Sequence, residues 1–350
     1  MNKHGGYFGE NKNKIIDFSV NINPLGVPNK LINRLQESLK HLERYPEIDG
    51  ESGKIELSRR LNINTENIIL GNGATELIYL FSRALKPKKV MIIEPTFTEY
   101  ERAFKLNESE IYHFETLEKE NFQINIERLL EEIEKIRPDL LVMCNPNNPT
   151  GIFTEAESMM KILNKLKEIN SYLFIDESFI DFTDKKSYIS FIESYPTFIL
   201  RSMTKTYAIP GLRLGYGLGN KSLIEKLKKQ KEPWTINSLA LEAIPILLGD
   251  ENYFRKTNDW YKFEKKYLKE NLEKIEDIKT YESNGNFFLC KLKKSDSKVI
   301  KEYLLDKKIY IRTCEDFYGL NQEYLRLAIR TREENELLLK EIKCFFKKIK

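Results

Sequence analysis

Lys205 stands in the stretch "LRSMTKTYAIPGLRLGYG", residues 200–217, with Ser202 and Thr204 just before it and Arg213 eight residues on. Cations and hydroxyls set in a largely apolar run suit an anionic ligand. Apolar surroundings disfavour the ammonium form, so they lower a lysine's pKa and make its amine a nucleophile. Three other stretches carry comparable groups. "GNGATE" (71–76) offers the backbone N–H groups of Gly73, Ala74 and Thr75 at the start of a helix, a cradle for phosphate. "NPNNPTG" (145–151) places Asn148 in a dense run of Asn and Pro, and "DES" (176–178) ends an apolar run with Asp176. Each has a plainer reading. The glycines could make a simple turn, the Asn–Pro run a tight turn, Asp176 a helix cap or surface acid, and Lys205 one more solvated lysine. The four together, in this order, point to one ligand.

The elements that must position these groups alternate. "KKVMIIEP", "PDLLVMCNP", "SYLFIDES" and "TFILRSM" are short apolar runs that suit buried parallel strands. "GNGATELIYLFSRAL" and "EAESMMKILNKLKEIN" read as helices between them. Residues 66–220 therefore predict a parallel α/β sheet, with the candidate groups at the carboxyl ends of strands, where open sheets bind ligands. After "KEPWTINSLALEA" the pattern changes to a charged helix over 251–274, strand candidates "NFFLCKL", "IYIRTC" and "YLRLAIR", and a helix from 333 onward. That predicts a large α/β domain over 45–245 and a smaller α+β domain from 1–44 and 246–350.

Composition narrows the function classes. The 350 residues carry 57 basic and 53 acidic side chains, a net charge of +4 scattered along the chain, which argues against a nucleic-acid partner. No apolar run approaches the roughly 20 residues needed to span a membrane. Cys144, Cys290, Cys314 and Cys344 form no CxxC pair and are expected as free thiols in the cytoplasm. His4, His41 and His113 are too dispersed to suggest a metal site.

A lysine to hold an aldehyde, an acid to pair with a pyridinium nitrogen, and a phosphate cradle are what pyridoxal phosphate requires. "NPNNPTG", "DES" and "SMTKTYAIPGLRLG", in this order, resemble the fold-type I, aspartate-aminotransferase-like superfamily of such enzymes, along essentially the whole chain. The resemblance implies a mostly parallel seven-stranded sheet, with a smaller α+β domain beside it. It implies that Lys205 carries the cofactor and Asp176 pairs with its ring nitrogen. Asn148 would donate to the phenolic oxygen and Phe97, in "PTFTEY", would stack on the ring. Gly73, Ala74, Thr75, Ser202 and Arg213 would hold the phosphate. Tyr45, in "RYP", matches a tyrosine that reaches a partner's cofactor, which implies a homodimer with shared active sites.

Within the superfamily the chain resembles the histidinol-phosphate aminotransferase branch, which includes the L-threonine-O-3-phosphate decarboxylases of cobalamin biosynthesis. "HGG" (4–6), "DFSVNINPLGVP" (17–28), Phe179 in "DESFIDF" and "IYIRTCEDFYGLNQEYLRLAIRT" (309–331) are similar to the decarboxylases. That resemblance implies a phosphorylated amino-acid substrate. Arg326 would hold its carboxylate, Arg312 and His4 its phosphate, Asn148 would also contact it, and Asn23 would border it. Arginine forks suit both anions. Arg330 has no assigned role, and a surface salt bridge is its plainer reading. Histidinol-phosphate transamination is the alternative activity.

Overall fold

The computed structural model describes residues 4–10 and 14–349. Thirteen strands follow in chain order: β1 Ile16–Asp17, β2 Ile68–Asn72, β3 Lys89–Glu94, β4 Glu110–Glu115, β5 Leu140–Cys144, β6 Tyr172–Asp176, β7 Thr197–Ser202, β8 Leu214–Leu218, β9 Ile278–Thr280, β10 Phe287–Leu292, β11 Ile309–Tyr310, β12 Arg312–Thr313 and β13 Tyr324–Ala328. Seven form one sheet in the order β2-β8-β7-β6-β5-β3-β4. Its pairs are parallel from β4 through to β7, and β8 runs antiparallel to both neighbours.

The strand period of two feeds two cores. Val90, Ile92, Leu140, Val142, Phe174, Phe198 and Leu200 face a cluster with helices Ala74–Leu85, Glu99–Lys105 and Lys221–Lys228. Met91, Ile93, Leu141, Met143, Leu173, Ile175 and Ile199 face the opposite cluster, with helices Ile126–Ile136, Ala156–Glu168 and Ser238–Leu248. Both faces are covered, so the central strands are apolar throughout. Burying one such side chain stabilises by roughly 1.5–3 kcal/mol.

A second, four-stranded antiparallel sheet has the order β12-β13-β10-β9. Phe287, Phe288, Leu325 and Leu327 share its core with Trp260, Leu268, Ile300, Leu338 and Ile342 from the flanking helices. Large-sheet loops reach it through Phe122 and Ile152, which pack with Tyr281, Leu289, Cys314, Phe317 and Tyr324. Beside them Glu118 accepts from Tyr281 and pairs with Lys279 and Lys291.

Residues 1–44 do not all pack with the small domain. β1 pairs in parallel with β11. Helix Asn29–Ser38 instead lies against helix Ser238–Leu248, and its Leu31 is buried in the large-sheet core. The N-terminal segment thus crosses from one sheet's surroundings to the other's. Among the described residues, no helix is long and apolar enough to cross a membrane.

Candidate active site

A cavity of about 470 Å³ opens at the carboxyl ends of β5, β6 and β7 and is closed by the small sheet. Lys205, Asp176, Asn148, Phe97, Ala74, Thr75, Arg213, His4, Arg312 and Arg326 all line it. The chain therefore folds ten of the candidates around one space. A larger cavity of about 550 Å³ on the other face of β7 holds none of them, and its Arg201 is committed to Glu177 and Asp181.

Ser202 ends β7, and one helical turn, Met203–Thr206, lifts Lys205 into the cavity. Lys205 Nζ donates to Ser202 Oγ at 3.0 Å, and that hydroxyl shares a 2.8 Å hydrogen bond with Thr204. Burial holds the Lys205 ammonium below its ordinary pKa; Arg213 and Arg326 push it further down, against Asp176 and Cys144. The amine is thereby prepared as a nucleophile.

Asp176 ends β6 and is buried. Its Oδ2 accepts from the buried Tyr100 hydroxyl at 2.7 Å, and its Oδ1 accepts the Ser178 N–H at 2.8 Å. Tyr100 packs edge-on to Phe97, with ring centroids 5.7 Å apart, so one residue braces both the acid and the aromatic wall.

The phosphate cradle has a steric signature. Gly73 has φ +77°, and a Cβ there would lie 2.2 Å from Arg213 Nη2. Only glycine lets the guanidinium lie so close against the chain. Helix Ala74–Leu85 begins there with no side chain capping it, leaving first-turn N–H groups for an anion.

In "NPNNPTG" the three asparagines divide their work. Asn145 bonds Thr154, and Asn147 ties Pro95, Thr96 and Thr150 together. Asn148 faces the cavity and accepts from Arg326 Nη1.

Arg312 and Arg326 are direct partners in the antiparallel pair β12–β13. Like charges set opposite each other destabilise a sheet. Arg312 is steadied by Asp316 at 2.7 Å and by the Thr313 carbonyl at 2.8 Å. Arg326 is buried, donates to the Ser19 carbonyl, and has its pKa pushed down to about 10, first by burial and further by Arg312. An anion between them would relieve both effects.

Three sequence candidates stand elsewhere. Asn23 is buried outside the cavity. Its amide donates to the Thr206 carbonyl and Thr257 Oγ1, its side-chain oxygen accepts from Leu25, and its N–H reaches the Lys205 carbonyl. Its polar groups fasten the N-terminal segment beneath Lys205. Tyr45 is 85% exposed and packs on Trp234, ring centroids 5.4 Å apart. Arg330 is fixed to Glu334 and the Asp17 carbonyl, which is a bracing role for the N-terminal segment.

The cavity also contains residues the sequence reading missed. Asn21, Ser178, Glu99, Arg102, Cys144 and Phe317 are among them. Asn21 alternates with Ser19 and Asn23 in "SVNIN", a strand-like spacing that offered both Asn positions equally. Glu99 stands two residues beyond Phe97 and carried no motif of its own.

The residues fit pyridoxal phosphate on the structure's own terms. Asn21 Oδ1, Ser178 Oγ and Arg326 Nε are buried without hydrogen-bond partners, and all three residues line this cavity. Buried polar atoms left unpaired cost stability, so such a cluster marks a ligand site. An enclosed lysine, a strand-end acid and an arginine-backed helix start match the cofactor's aldehyde, ring nitrogen and phosphate. Among the described residues, no group of three or more His, Cys, Asp or Glu could hold a metal.

The chain belongs to the class I and II aminotransferase family, which it matches over residues 13–342, and the cofactor of that family fold is pyridoxal phosphate. Its relatives sharpen this. The protein of Caldanaerobacter subterraneus named "Putative threonine-phosphate decarboxylase" is 38% identical, over 98% of this chain and 94% of that protein. The threonine-phosphate decarboxylase of Salmonella typhimurium is 34% identical, over 96% of this chain and 94% of that protein. The crystal structure of histidinol-phosphate aminotransferase from Clostridium acetobutylicum superposes with a TM-score of 0.89 at 34% identity, covering 95% of this chain and 99% of that one.

Proposed function

We propose that this chain decarboxylates L-threonine O-3-phosphate to (R)-1-aminopropan-2-ol O-phosphate and CO₂, as a cytoplasmic enzyme of cobalamin biosynthesis. The observation that carries the reading is the facing pair Arg312 and Arg326, both in the cavity wall across β12–β13. With Arg213 beside the helix start, the cavity offers an arginine for each of three anions, cofactor phosphate, substrate carboxylate and substrate phosphate, while its fourth arginine, Arg102, stands by Glu99.

Pyridoxal phosphate, when bound, supplies an electron sink for the pair left at the substrate's α-carbon. Lys205 would hold its aldehyde, Asp176 its ring nitrogen, Asn148 its phenolic oxygen and Phe97 its face. Ser202, Arg213 and the Gly73–Thr75 backbone would hold its phosphate.

The remaining work falls to the chain. Arg326 forks the carboxylate, and Arg312 with His4 binds the phosphate ester. Holding the amino acid at both ends would fix which α-carbon bond is presented for cleavage: presenting the carboxylate would favour loss of CO₂, and presenting the hydrogen would favour transamination. Lys205, once released from the aldehyde, would return a proton to the α-carbon after CO₂ has left. Phe179 lies in the wall with its ring 5.7 Å from Lys205 Nζ and offers no hydroxyl there.

We also infer that the active unit is a homodimer. Leu39, Leu42, Tyr45, Ile48 and Trp234 are exposed large apolar side chains near one another in sequence or contact, a surface a second copy would cover. Tyr45 would reach the partner's cofactor phosphate from it.

Histidinol-phosphate transamination is the second reading, favoured by the likeness to the Clostridium acetobutylicum enzyme. Two incubations separate them. The holoenzyme is given L-threonine O-3-phosphate and read for CO₂, then histidinol phosphate with 2-oxoglutarate and read for glutamate. CO₂ without glutamate supports the proposal, and glutamate without CO₂ overturns it.

A further inference from the structure

The face that the small sheet turns to the large domain carries more than its arginine. Strand alternation sends Phe288, Cys290, Leu325 and Leu327 into the small domain's own core. The other face carries Leu289 and Lys291 on β10, and Tyr324 and Arg326 on β13. Across the sheet, Leu289 is paired with Arg326 and Lys291 with Tyr324. Arg326 lines the cavity. Tyr324, two residues before it and about 7 Å along the strand, meets the large domain outside the cavity.

What it meets is a turn that follows β4. Glu118 Oε1 accepts from the Tyr281 hydroxyl at 2.7 Å and lies 3.3 Å from Lys279 Nζ, while Oε2 lies 2.9 Å from Lys291 Nζ. Phe122 is buried edge-on to Tyr281 and Tyr324, with ring centroids 5.0 and 6.1 Å away. The same cluster includes Phe317, which lines the cavity. The turn is strained: Asn121 has φ 50° and Phe122 φ 59°, a left-handed region that side chains disfavour. Such strain persists only where the surroundings enforce it, and it gathers at clamps and switches. Burial would raise the Glu118 carboxyl, but bonds from Lys291, Tyr281, Tyr324 and Lys279 outweigh it and bring its pKa down to about 2. The contact is therefore charged at neutral pH.

Elsewhere the two domains are joined more rigidly. Asn284 N–H donates to the Gly151 carbonyl at 2.6 Å, and a Cβ on Gly151 would lie 2.0 Å from Ser283 Oγ. That point is backbone against backbone and can serve as a pivot. At Glu118 the polar contact is made by side chains alone and can open.

We propose that Glu118 is a positioning residue: by clasping β9, β10 and β13 to the large domain it sets how far Arg326 reaches over Lys205, and so which α-carbon bond of the substrate is presented for cleavage. This rests on the reading of Arg326 as the carboxylate site. Glu118 stands outside the cavity lining and acts only through the sheet.

The test compares the holoenzyme with E118Q, K291Q and E118Q/K291Q on L-threonine O-3-phosphate. E118Q should raise KM about fivefold, the upper scale for one part-exposed ion pair, with a smaller change in kcat. The share of turnovers ending in phosphorylated 2-oxo acid should rise, while the lysine-linked cofactor absorbance stays as in the wild type. K291Q should act in the same direction, and the double variant should add little to E118Q because one contact is shared. Amide exchange in E118Q should speed at 117–122 and 324–328 and stay unchanged in β5, β6 and β7. An unchanged KM and product share in E118Q overturns the proposal. So does exchange that speeds equally in β5 to β7, as general destabilisation would produce, or losses that multiply in the double variant. If R326Q leaves KM intact the carboxylate reading falls, while exchange at 324–328 still decides whether Glu118 holds the strand.

Discussion

The floor and the wall of the cavity are built differently. The floor comes from the ends of adjacent strands in one sheet, and its lysine, acid and arginine are held by neighbours, although Ser178 Oγ is left without a partner. Lys205 is bonded to Ser202, Asp176 to Tyr100 and Ser178, and Gly73 is pressed on Arg213. The wall is assembled from β12, β13 and the folded-back N-terminus, and its charges are strained. Arg312 faces Arg326, and Arg326 Nε has no partner. A floor held by its neighbours suits a resident cofactor that stays, whereas a wall short of anions suits a substrate that arrives and leaves.

This contrast predicts a ranking of substitutions. Lys205→Ala attacks the floor and should lower kcat/KM by at least about 10³-fold, with loss of the lysine-linked cofactor absorbance. Arg326→Gln should cost about 10²-fold in kcat/KM, since it removes a two-pronged charged contact and exposes the Ser19 carbonyl and Asn148 to a lost donor. If R326Q instead left turnover intact, the wall would not be the carboxylate site. Arg312→Gln should raise KM for phosphorylated substrate about tenfold and leave the weak binding of unphosphorylated L-threonine unchanged. Steady-state kinetics on both substrates checks it.

The floor also predicts a pH dependence. Lys205 titrates below its ordinary 10.5, first through burial. Between the folded and unfolded values the unfolded chain binds more protons, so apoprotein stability rises with pH across that window. Read downwards, that stability is lost across the same window and levels off once pH is below the folded value. The rate of cofactor loading should likewise level off below pH 10.5, as the neutral amine becomes available earlier than in a free lysine. Arg326→Gln should move that midpoint upward by removing one nearby cation. The smallest effect is expected at Tyr45: Tyr45→Ala should weaken cofactor retention only a few-fold, measured by dialysis of the holoenzyme, with a change only if a partner copy is present.

The two regions were unequally legible in the sequence. Floor residues sit just after apolar runs, so strand ends pointed to Lys205, Asp176 and Asn148 directly. The sheet's edges were harder. β4 is "EIYHFE", polar on one face at an edge, and β8 is "LGYGL", which merged with the lysine stretch and gave no hint of its antiparallel direction. The wall depends on contacts between residues hundreds of positions apart. Spacing alone could not choose Asn21 over Asn23, or find Glu99, or tell that Arg330 turns away to Glu334 while Arg312 and Arg326 turn inward. Register between β12 and β13, and the fold-back at Gly5 and Gly6 over Ser19, decide those matters, and both are tertiary facts.

The fate of one carbon tests the central claim most directly. L-Threonine O-3-phosphate labelled with ¹³C at the carboxyl carbon is incubated with the holoenzyme and all products are followed by mass spectrometry. Label in CO₂, with unlabelled aminopropanol phosphate formed in equal amount, is the predicted result. Label retained in a phosphorylated 2-oxo acid would mean that the wall presents the α-hydrogen and not the carboxylate for cleavage, and that the site transaminates.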